Sequence, residues 1–252
     1  MHRYSGEGKC KLKRTPSTKI ALAVISILVA LGVQSLSVSA VAGAQSRAEE
    51  IEWTWDVRPP HPDDSLPNVL LVGDSITRNY FPEVTRQLKS VANVYLMASS
   101  ICVGDPRLPE ELISFAKMED VQFRVVHFNN GMHGWDYSEA EYKAGFPAYL
   151  AVLHQIAPGA AFIWASTTPV RKEKEPGPTN ARVDARNAIA LTFVHDMTVD
   201  DQHALMAKHA DLYHDDVHFN EDGSNIEGDA AAVTIRHPRR VPLKIAALAV
   251  EV

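Results

Sequence analysis

Three residues of types that can carry out nucleophilic chemistry stand near the two ends of the central part of the chain. Ser75 directly follows a short apolar run, and Asp215 precedes His218 by three residues. A serine nucleophile needs a base for its proton, and a carboxylate can hold an imidazole in the tautomer that serves as this base. A serine after a strand more often only caps a helix, and Asp-x-x-His is usually polar surface. The combination nevertheless predicts a Ser75–His218–Asp215 triad.

The apolar pattern predicts strands that alternate with helices and would position these residues. Short apolar runs typical of strands buried on both faces occupy residues 68–72, 94–98, 124–128 and 161–165. Helical patterns occupy 82–91, 109–118, 138–156 and 180–195, the third opening with a capping box at Ser138 and Glu141, and a further helix follows His218. Such alternation predicts a parallel sheet covered by helices, with ligands at the carboxyl ends of the strands.

Over residues 68–235 the chain resembles the SGNH (GDSL-type) hydrolase family. Gly73-Asp74-Ser75-Ile76 is similar to the first family block, and Asp215-x-x-His218 is similar to the last. The resemblance implies an α/β fold, a three-layer α/β/α sandwich around a five-stranded parallel sheet as in flavodoxin-like proteins. It also implies that Ser75 is the nucleophile, His218 the general base and Asp215 the orienting acid of an esterase that uses no cofactor and no metal.

The family builds its oxyanion hole from the serine backbone, a glycine in the second block and an asparagine in a Gly-x-Asn-Asp third block. Gly104 is similar to the second-block glycine. The third block departs from the family pattern, because a gap-free overlay puts His133 where the asparagine is expected. Asn130, His133 and Asn129 all remain candidate donors, and at least one of the two asparagines is expected only to close the turn.

The first 44 residues read as a signal peptide. Six basic residues precede an uncharged run over 20–33, and Ala42-Gly43-Ala44 offers a cleavage site. An uncleaved membrane anchor is the alternative. We expect residues 45–67 to be an extended linker, 68–236 to be the hydrolase domain and 237–252 to be a tail that could add an edge strand. Cleavage would give a secreted or periplasmic protein with no stable membrane insertion.

Charge and cysteine content narrow the class of protein. The 252 residues are 46% hydrophobic and 22% charged, as in an ordinary globular protein, with a formal net charge of -6. Without the leader, 19 basic and 30 acidic residues give -11. This acidity argues against a nucleic-acid partner. Cys102 would remain as a lone cysteine, which we expect to be a small buried hydrophobe. The sequence sets no oligomeric state.

The function that we predict is an exported serine esterase that forms an acyl-enzyme and hydrolyses small acyl esters, such as acetyl groups on carbohydrates. A polysaccharide O-acyltransferase on the same fold is one alternative, and a non-catalytic carbohydrate-binding module is another. A metal site is a weaker alternative, suggested by histidines and aspartates that crowd one segment: His203, His209, Asp211, His214, Asp215 and His218.

Overall fold

The computed structural model describes residues 45–238, over which six strands and six α-helices follow one another. The strands are β1 (Thr54–Val57), β2 (Asn68–Gly73), β3 (Asn93–Ser99), β4 (Phe123–Phe128), β5 (Ala161–Ala165) and β6 (Thr198–Asp200). The helices are α1 (Ser75–Leu88), α2 (Arg107–Glu119), α3 (Glu139–Ile156), α4 (Asn180–Leu191), α5 (Gln202–Met206) and α6 (Glu221–Arg236). The predicted signal peptide and residues 239–252 of the predicted tail lie outside the described residues.

The strands form one sheet in the order β1-β3-β2-β4-β5-β6. Strands β2 to β6 run parallel, so the predicted five-stranded parallel sheet is confirmed. The sheet has one strand more than predicted, because β1 pairs antiparallel with β3 at the edge. This strand belongs to the segment predicted as an extended linker. Its signal is an alternation in which Trp53, Trp55 and Val57 are separated by polar residues.

Helices cover both faces of the sheet, which gives the three layers. In β2, Val69 and Leu71 pack in one apolar cluster with residues of α1 and α6. Leu70 and Val72 point to the opposite face and pack in a second cluster with residues of α2 and α3. Because both faces are buried, β2 is apolar at every position from Val69 to Val72, as expected for a central parallel strand.

Local signals fix where the helices begin. The predicted capping box of α3 is confirmed, with Ser138 and Glu141 each accepting a backbone N–H of the other residue. Helix α1 begins at Ser75, two turns before its predicted start, because the carboxylate of Asp74 caps it by accepting the N–H of Ile76 at 2.9 Å. Among the described residues, no helix combines the length and the apolarity that crossing a membrane requires.

Candidate active site

Ser75 is the first residue of α1 and lies at the carboxyl end of β2. Its Oγ is 2.7 Å from Nε2 of His218. The turn before it is tight, since a Cβ on Gly73 would lie 2.0 Å from Oγ1 of Thr77, so only glycine fits there. The tight turn and the Asp74 cap together hold the Ser75 hydroxyl at the sheet edge, next to the free N–H groups at the start of α1.

Asp215 holds His218 from the other side. Its Oδ2 is 2.8 Å from Nδ1 of His218, and its Oδ1 accepts the backbone N–H groups of His218 at 2.7 Å and of Val217 at 2.9 Å. Burial raises the pKa of Asp215, but these hydrogen bonds outweigh burial and lower it to about 2. An ionised carboxylate accepts only, so Nδ1 of His218 carries the proton and Nε2 is free to accept the proton of Ser75.

The two halves of this arrangement stand at the starts of two packed helices. Helix α6 begins just after His218, where the side chain of Asn220 caps it by accepting the N–H of Gly223 at 3.0 Å. A Cβ on Gly228 would lie 2.6 Å from Cβ of Glu83 and 2.9 Å from the carbonyl oxygen of Tyr80. Gly228 therefore lets α6 approach α1 closely, and this packing sets the separation of Ser75 from His218.

Gly104 lies in the loop between β3 and α2, and Asn130 braces this loop. Oδ1 of Asn130 accepts the N–H of Val103 at 2.9 Å, and its Nδ2 donates to the carbonyl of Ile101 at 2.9 Å. A Cβ on Gly104 would lie 2.8 Å from the ring of Tyr137, so the loop packs against that ring. Asn130 holds the Gly104 loop in place and retains one amide proton without a partner among the described residues.

Asn129 has a different role from the one predicted. Its Nδ2 donates to the carbonyl of Ala165 at 2.6 Å and to Oγ1 of Thr167 at 3.1 Å. Both amide protons are thereby used to join the end of β4 to the loop after β5. Asn129 has no amide proton left for a substrate oxygen, and we remove it from the candidate oxyanion donors.

His133 is held by Glu49, a residue of the segment predicted as a linker. Nδ1 of His133 is 2.9 Å from Oε2 of Glu49, whose Oε1 accepts the N–H of Gly134 at 2.8 Å. Burial lowers the pKa of His133, but the hydrogen bond to Glu49 and the charge of Asp74 outweigh burial and raise it. Protonated His133 carries an Nε2–H as well, and such an N–H is a hydrogen-bond donor.

Sequence reasoning missed Arg186, which shapes the third-block loop from α4. Its side chain is 1% exposed, and it donates to the carbonyls of Gly131 at 3.0 Å, His133 at 2.7 Å and Gly134 at 2.9 Å. The guanidinium also lies over the ring of Trp135, 4.1 Å from its centroid. One buried cation thus satisfies three carbonyl groups of this loop and fixes the backbone at His133.

Asn187 of the same helix was missed as well. Its Nδ2 donates to the carbonyl of Thr167 at 2.9 Å, and its Oδ1 accepts the N–H of Thr167 at 2.8 Å. A sequence signal was present, because Asn187 falls between Val183 and Ala190 on the buried face of α4. A polar residue on an apolar helical face usually has a hydrogen-bonding task.

The histidines and aspartates that crowd residues 203–218 serve different contacts in space. Nε2 of His203 is 3.3 Å from Oδ1 of Asp184, whereas His218 and Asp215 face Ser75. Over residues 45–238, no three His, Cys, Asp or Glu side chains are grouped so that they could hold a metal ion. Cys102 is buried and free, and burial raises its pKa to about 11, which fits the small hydrophobe that we expected.

Comparison with known proteins gives matches among solved structures. No family model and no curated protein matches the sequence. A Slackia heliotrinireducens protein assigned to the SGNH hydrolases has a TM-score of 0.53 at 19% identity, over 68% of this chain and 99% of its own. A carbohydrate esterase family 3 protein of Talaromyces cellulolyticus has a TM-score of 0.53 at 14% identity, over 68% of this chain and 97% of its own. The third match is the C-terminal catalytic domain of the peptidoglycan O-acetyltransferase A of Streptococcus pneumoniae. Its TM-score is 0.50 at 15% identity, over 68% of this chain and 93% of its own.

The fold of this chain is that of the SGNH-type hydrolases. The five parallel strands, the helices on both faces and the lengths covered in the matched structures agree on this fold. The matched structures include a carbohydrate esterase and an acetyltransferase as well as a hydrolase, so one fold serves several acyl-group reactions among them.

Proposed function

We propose that this chain is a serine esterase that hydrolyses small acyl esters, with acetyl groups on carbohydrates as its substrate class. The observation that carries the proposal is the unbroken line of hydrogen bonds from Ser75 through His218 to Asp215, with distances of 2.7 Å and 2.8 Å. These three residue types in this order are the parts that acyl transfer through a serine requires.

In the first half of the reaction, Oγ of Ser75 attacks the ester carbonyl while Nε2 of His218 takes the hydroxyl proton. Asp215 keeps the imidazole oriented and stabilises the imidazolium that forms. The tetrahedral intermediate then collapses, the bond to the alcohol oxygen breaks, and His218 returns the proton to the departing alcohol. The acyl group remains on Ser75 as an ester.

In the second half, a water molecule attacks the acyl-enzyme and gives its proton to His218. The bond to Oγ of Ser75 breaks, Ser75 regains the proton, and a carboxylic acid leaves. The negative charge on the substrate oxygen needs hydrogen-bond donors in both halves. The candidates are the backbone N–H groups of Ser75 and Gly104, with Asn130 and His133 as side-chain donors.

The preference for acetyl groups on carbohydrates is supported by the structures that share this fold. They include a carbohydrate esterase and an O-acetyltransferase acting on peptidoglycan.

Hydrolysis of p-nitrophenyl acetate tests the proposal. We expect turnover by the wild type, loss of turnover in Ser75→Ala, and one fluorophosphonate adduct by intact mass that maps to Ser75. Ser114→Ala is the matched control, because Ser114 is exposed on α2 and its hydroxyl contacts only a carbonyl of its own helix. An adduct elsewhere, or equal turnover in Ser75→Ala, would contradict the proposal.

Acyl transfer is the second candidate function, favoured by the similarity to an O-acetyltransferase domain. A sugar hydroxyl would then replace water in the second half of the reaction. The products formed with and without an oligosaccharide acceptor distinguish the two, since an esterase gives only free acetate at high acceptor concentration. A protein that binds glycans and turns over no ester would instead be a non-catalytic binding module.

We also propose that the protein is exported and that its leader is removed after Ala44. The support is the charge and apolar pattern of the first 44 residues. The N-terminal sequence of the mature protein tests this, because cleavage predicts a chain that begins at Gln45. Recovery of the uncleaved chain with membranes would support the anchor alternative.

A further inference from the structure

Arg78 lies one helical turn beyond Ser75. Residues three apart on a helix share a face, with Cβ atoms about 5 to 6 Å apart. A long helical side chain covers the turn on the N-terminal side of its own Cα. The guanidinium of Arg78 is therefore directed over the turn that contains Ser75.

Two tryptophans hold Arg78. The guanidinium carbon lies 5.2 Å from the ring centroid of Trp53 and 5.3 Å from that of Trp55. Trp53 also meets the ring of His133 edge-on, with centroids 5.7 Å apart. In β1, Trp55 pairs with Ala98 near the carboxyl end of β3, so the tryptophans stand at the same edge of the sheet as Ser75.

The cluster of Arg78, Trp53 and Trp55 is open to a ligand, both at an apolar ring and at the charged guanidinium. Trp55 is 52% exposed, which is unusual for so large an apolar side chain. Among residues 45–238, Arg78 has no carboxylate within ion-pairing distance. Oδ1 of Asp74 caps α1, and the carboxylate of Glu49 binds His133 and Gly134. Among the described residues, Arg78 is held by the two tryptophan rings, and its charge has no carboxylate partner.

We propose that Arg78 and Trp55 form a subsite for an acidic sugar that adjoins the esterified sugar. This inference rests on the proposed esterase function and names its substrate class more closely. The face of the Trp55 indole that is turned away from Arg78 packs against the sugar ring. The fork of N–H donors on Arg78 binds the sugar carboxylate in a two-point contact, which matches carboxylate geometry better than an ammonium does.

Matched substrates test the subsite. They are an acetylated xylo-oligosaccharide with a glucuronic acid branch, the same oligosaccharide without the branch, and p-nitrophenyl acetate. We expect the wild type to prefer the acidic substrate. Arg78→Gln should reduce the ratio of kcat/KM for the acidic to the neutral substrate about tenfold or more, chiefly through KM, with Arg78→Lys in between. Trp55→Ala should reduce kcat/KM for both oligosaccharides relative to p-nitrophenyl acetate.

Two controls lie at the opposite end of the sheet. Arg124→Gln removes an exposed arginine near the start of β4, and Met118→Ala removes an exposed apolar side chain near the end of α2. Both variants should have the wild-type kcat/KM for all three substrates. An unchanged acidic-to-neutral ratio in Arg78→Gln, or a wild type that prefers the neutral oligosaccharide, would overturn the proposal.

Binding separates failure of the subsite from failure of the esterase. The full chain with Ser75→Ala is titrated calorimetrically with the deacetylated acidic oligosaccharide, with and without Arg78→Gln. A Kd about tenfold higher in the double variant supports the subsite even where no ester is turned over. Equal Kd values, or no binding by either chain, would overturn the subsite even where Ser75 hydrolyses p-nitrophenyl acetate.

Discussion

Glu49 holds His133 through a 2.9 Å contact between Oε2 and Nδ1, and so ties the chain ahead of β1 to the loop after β4. The same carboxylate accepts the N–H of Gly134, so it fixes the backbone of this loop as well as the ring. Residues before β1 therefore belong to the wall of the candidate site. A structural role for Glu49 has a measurable dependence on pH.

Replacing Glu49 by glutamine should destabilise the protein most at mildly acidic pH. The pKa of His133 is raised in the folded chain, so its contribution is fully present below the unfolded pKa and is lost as pH rises through the folded value. We expect Glu49→Gln to lower the free energy of unfolding by about 1 to 3 kcal/mol near pH 5.5, with a smaller loss at pH 9. Thermal melts of both proteins across this range measure the difference. A loss that grows toward pH 9 would contradict this account.

Replacing Arg186 by methionine should cost roughly 3 to 5 kcal/mol of stability. Methionine fills similar space but leaves the carbonyls of Gly131, His133 and Gly134 without their donor. Urea unfolding measures the loss. The free energy of unfolding of Arg186→Lys should fall between those of the wild type and Arg186→Met, because an ammonium cannot reach all three oxygens. Arg124→Met is the control, since Arg124 is exposed. Equal losses of stability in Arg186→Met and Arg124→Met would rule out this stabilising role of Arg186.

Replacing Asp215 by asparagine should lower kcat by about 10³- to 10⁴-fold, because an amide favours the wrong tautomer of His218. The pKa of Asp215, about 2, keeps the wild-type carboxylate ionised at every ordinary assay pH. The loss should therefore be of similar size from pH 6 to pH 9, measured with p-nitrophenyl acetate. Asp216→Asn changes the neighbouring exposed carboxylate and should have little effect. A loss confined to one end of this pH range would point to another group.

Glu227 of α6 is a buried carboxyl group that the proposed mechanism does not use. It is 1% exposed, its oxygens have no hydrogen-bond partner among the described residues, and it lines a cavity of about 10 Å³ beside Thr77 and Gln202. Burial raises its pKa well above the usual range, and the charges of Asp74 and Asp200 raise it further. The folded protein therefore holds this proton more tightly than the unfolded chain does.

Glu227→Gln should consequently make the protein less sensitive to alkaline pH. A raised folded pKa gives stability that is complete below the unfolded pKa and is lost as pH rises through the folded value. Between the two values the loss is about 1.4 kcal/mol per pH unit. Thermal melts from pH 5 to pH 9 should show the wild type falling relative to the variant. Glu221→Gln, which changes an exposed residue at the start of the same helix, should follow the wild type. Parallel curves for wild type and Glu227→Gln would disprove the assignment.

Much of the fold could be predicted because buried strands and capped helices carry local signals. The run in β2 is apolar at successive positions, and Ser138 with Glu141 marks the start of α3. Strand β6 escaped prediction because three residues give no usable periodicity. Strand β1 escaped because its signal is a short alternation within acidic, proline-bearing sequence. Short edge elements depend on their neighbours rather than on their own pattern.

The candidate site was predictable only where its chemistry is local. Ser75 stands at a strand-to-helix turn and Asp215 lies three residues from His218, so residue type and spacing point to both. Glu49 contacts a residue 84 positions away, and Arg186 contacts the loop of His133 from 53 positions away. No local pattern marks such partners. The same holds for Asn129 and Asn130, whose different tasks follow from which loops they face.

The packing of α1 against α6 across Gly228 also determines at which point during synthesis the candidate site can form. Ser75 and His218 are separated by 143 positions, and the last described helix, α6, must pack on α1 to bring them together. A ribosome completes the helix of the nucleophile well before it reaches His218. A growing chain, or one cut short by a premature stop before residue 218, would thus display an inert serine, so translation itself postpones the chemistry.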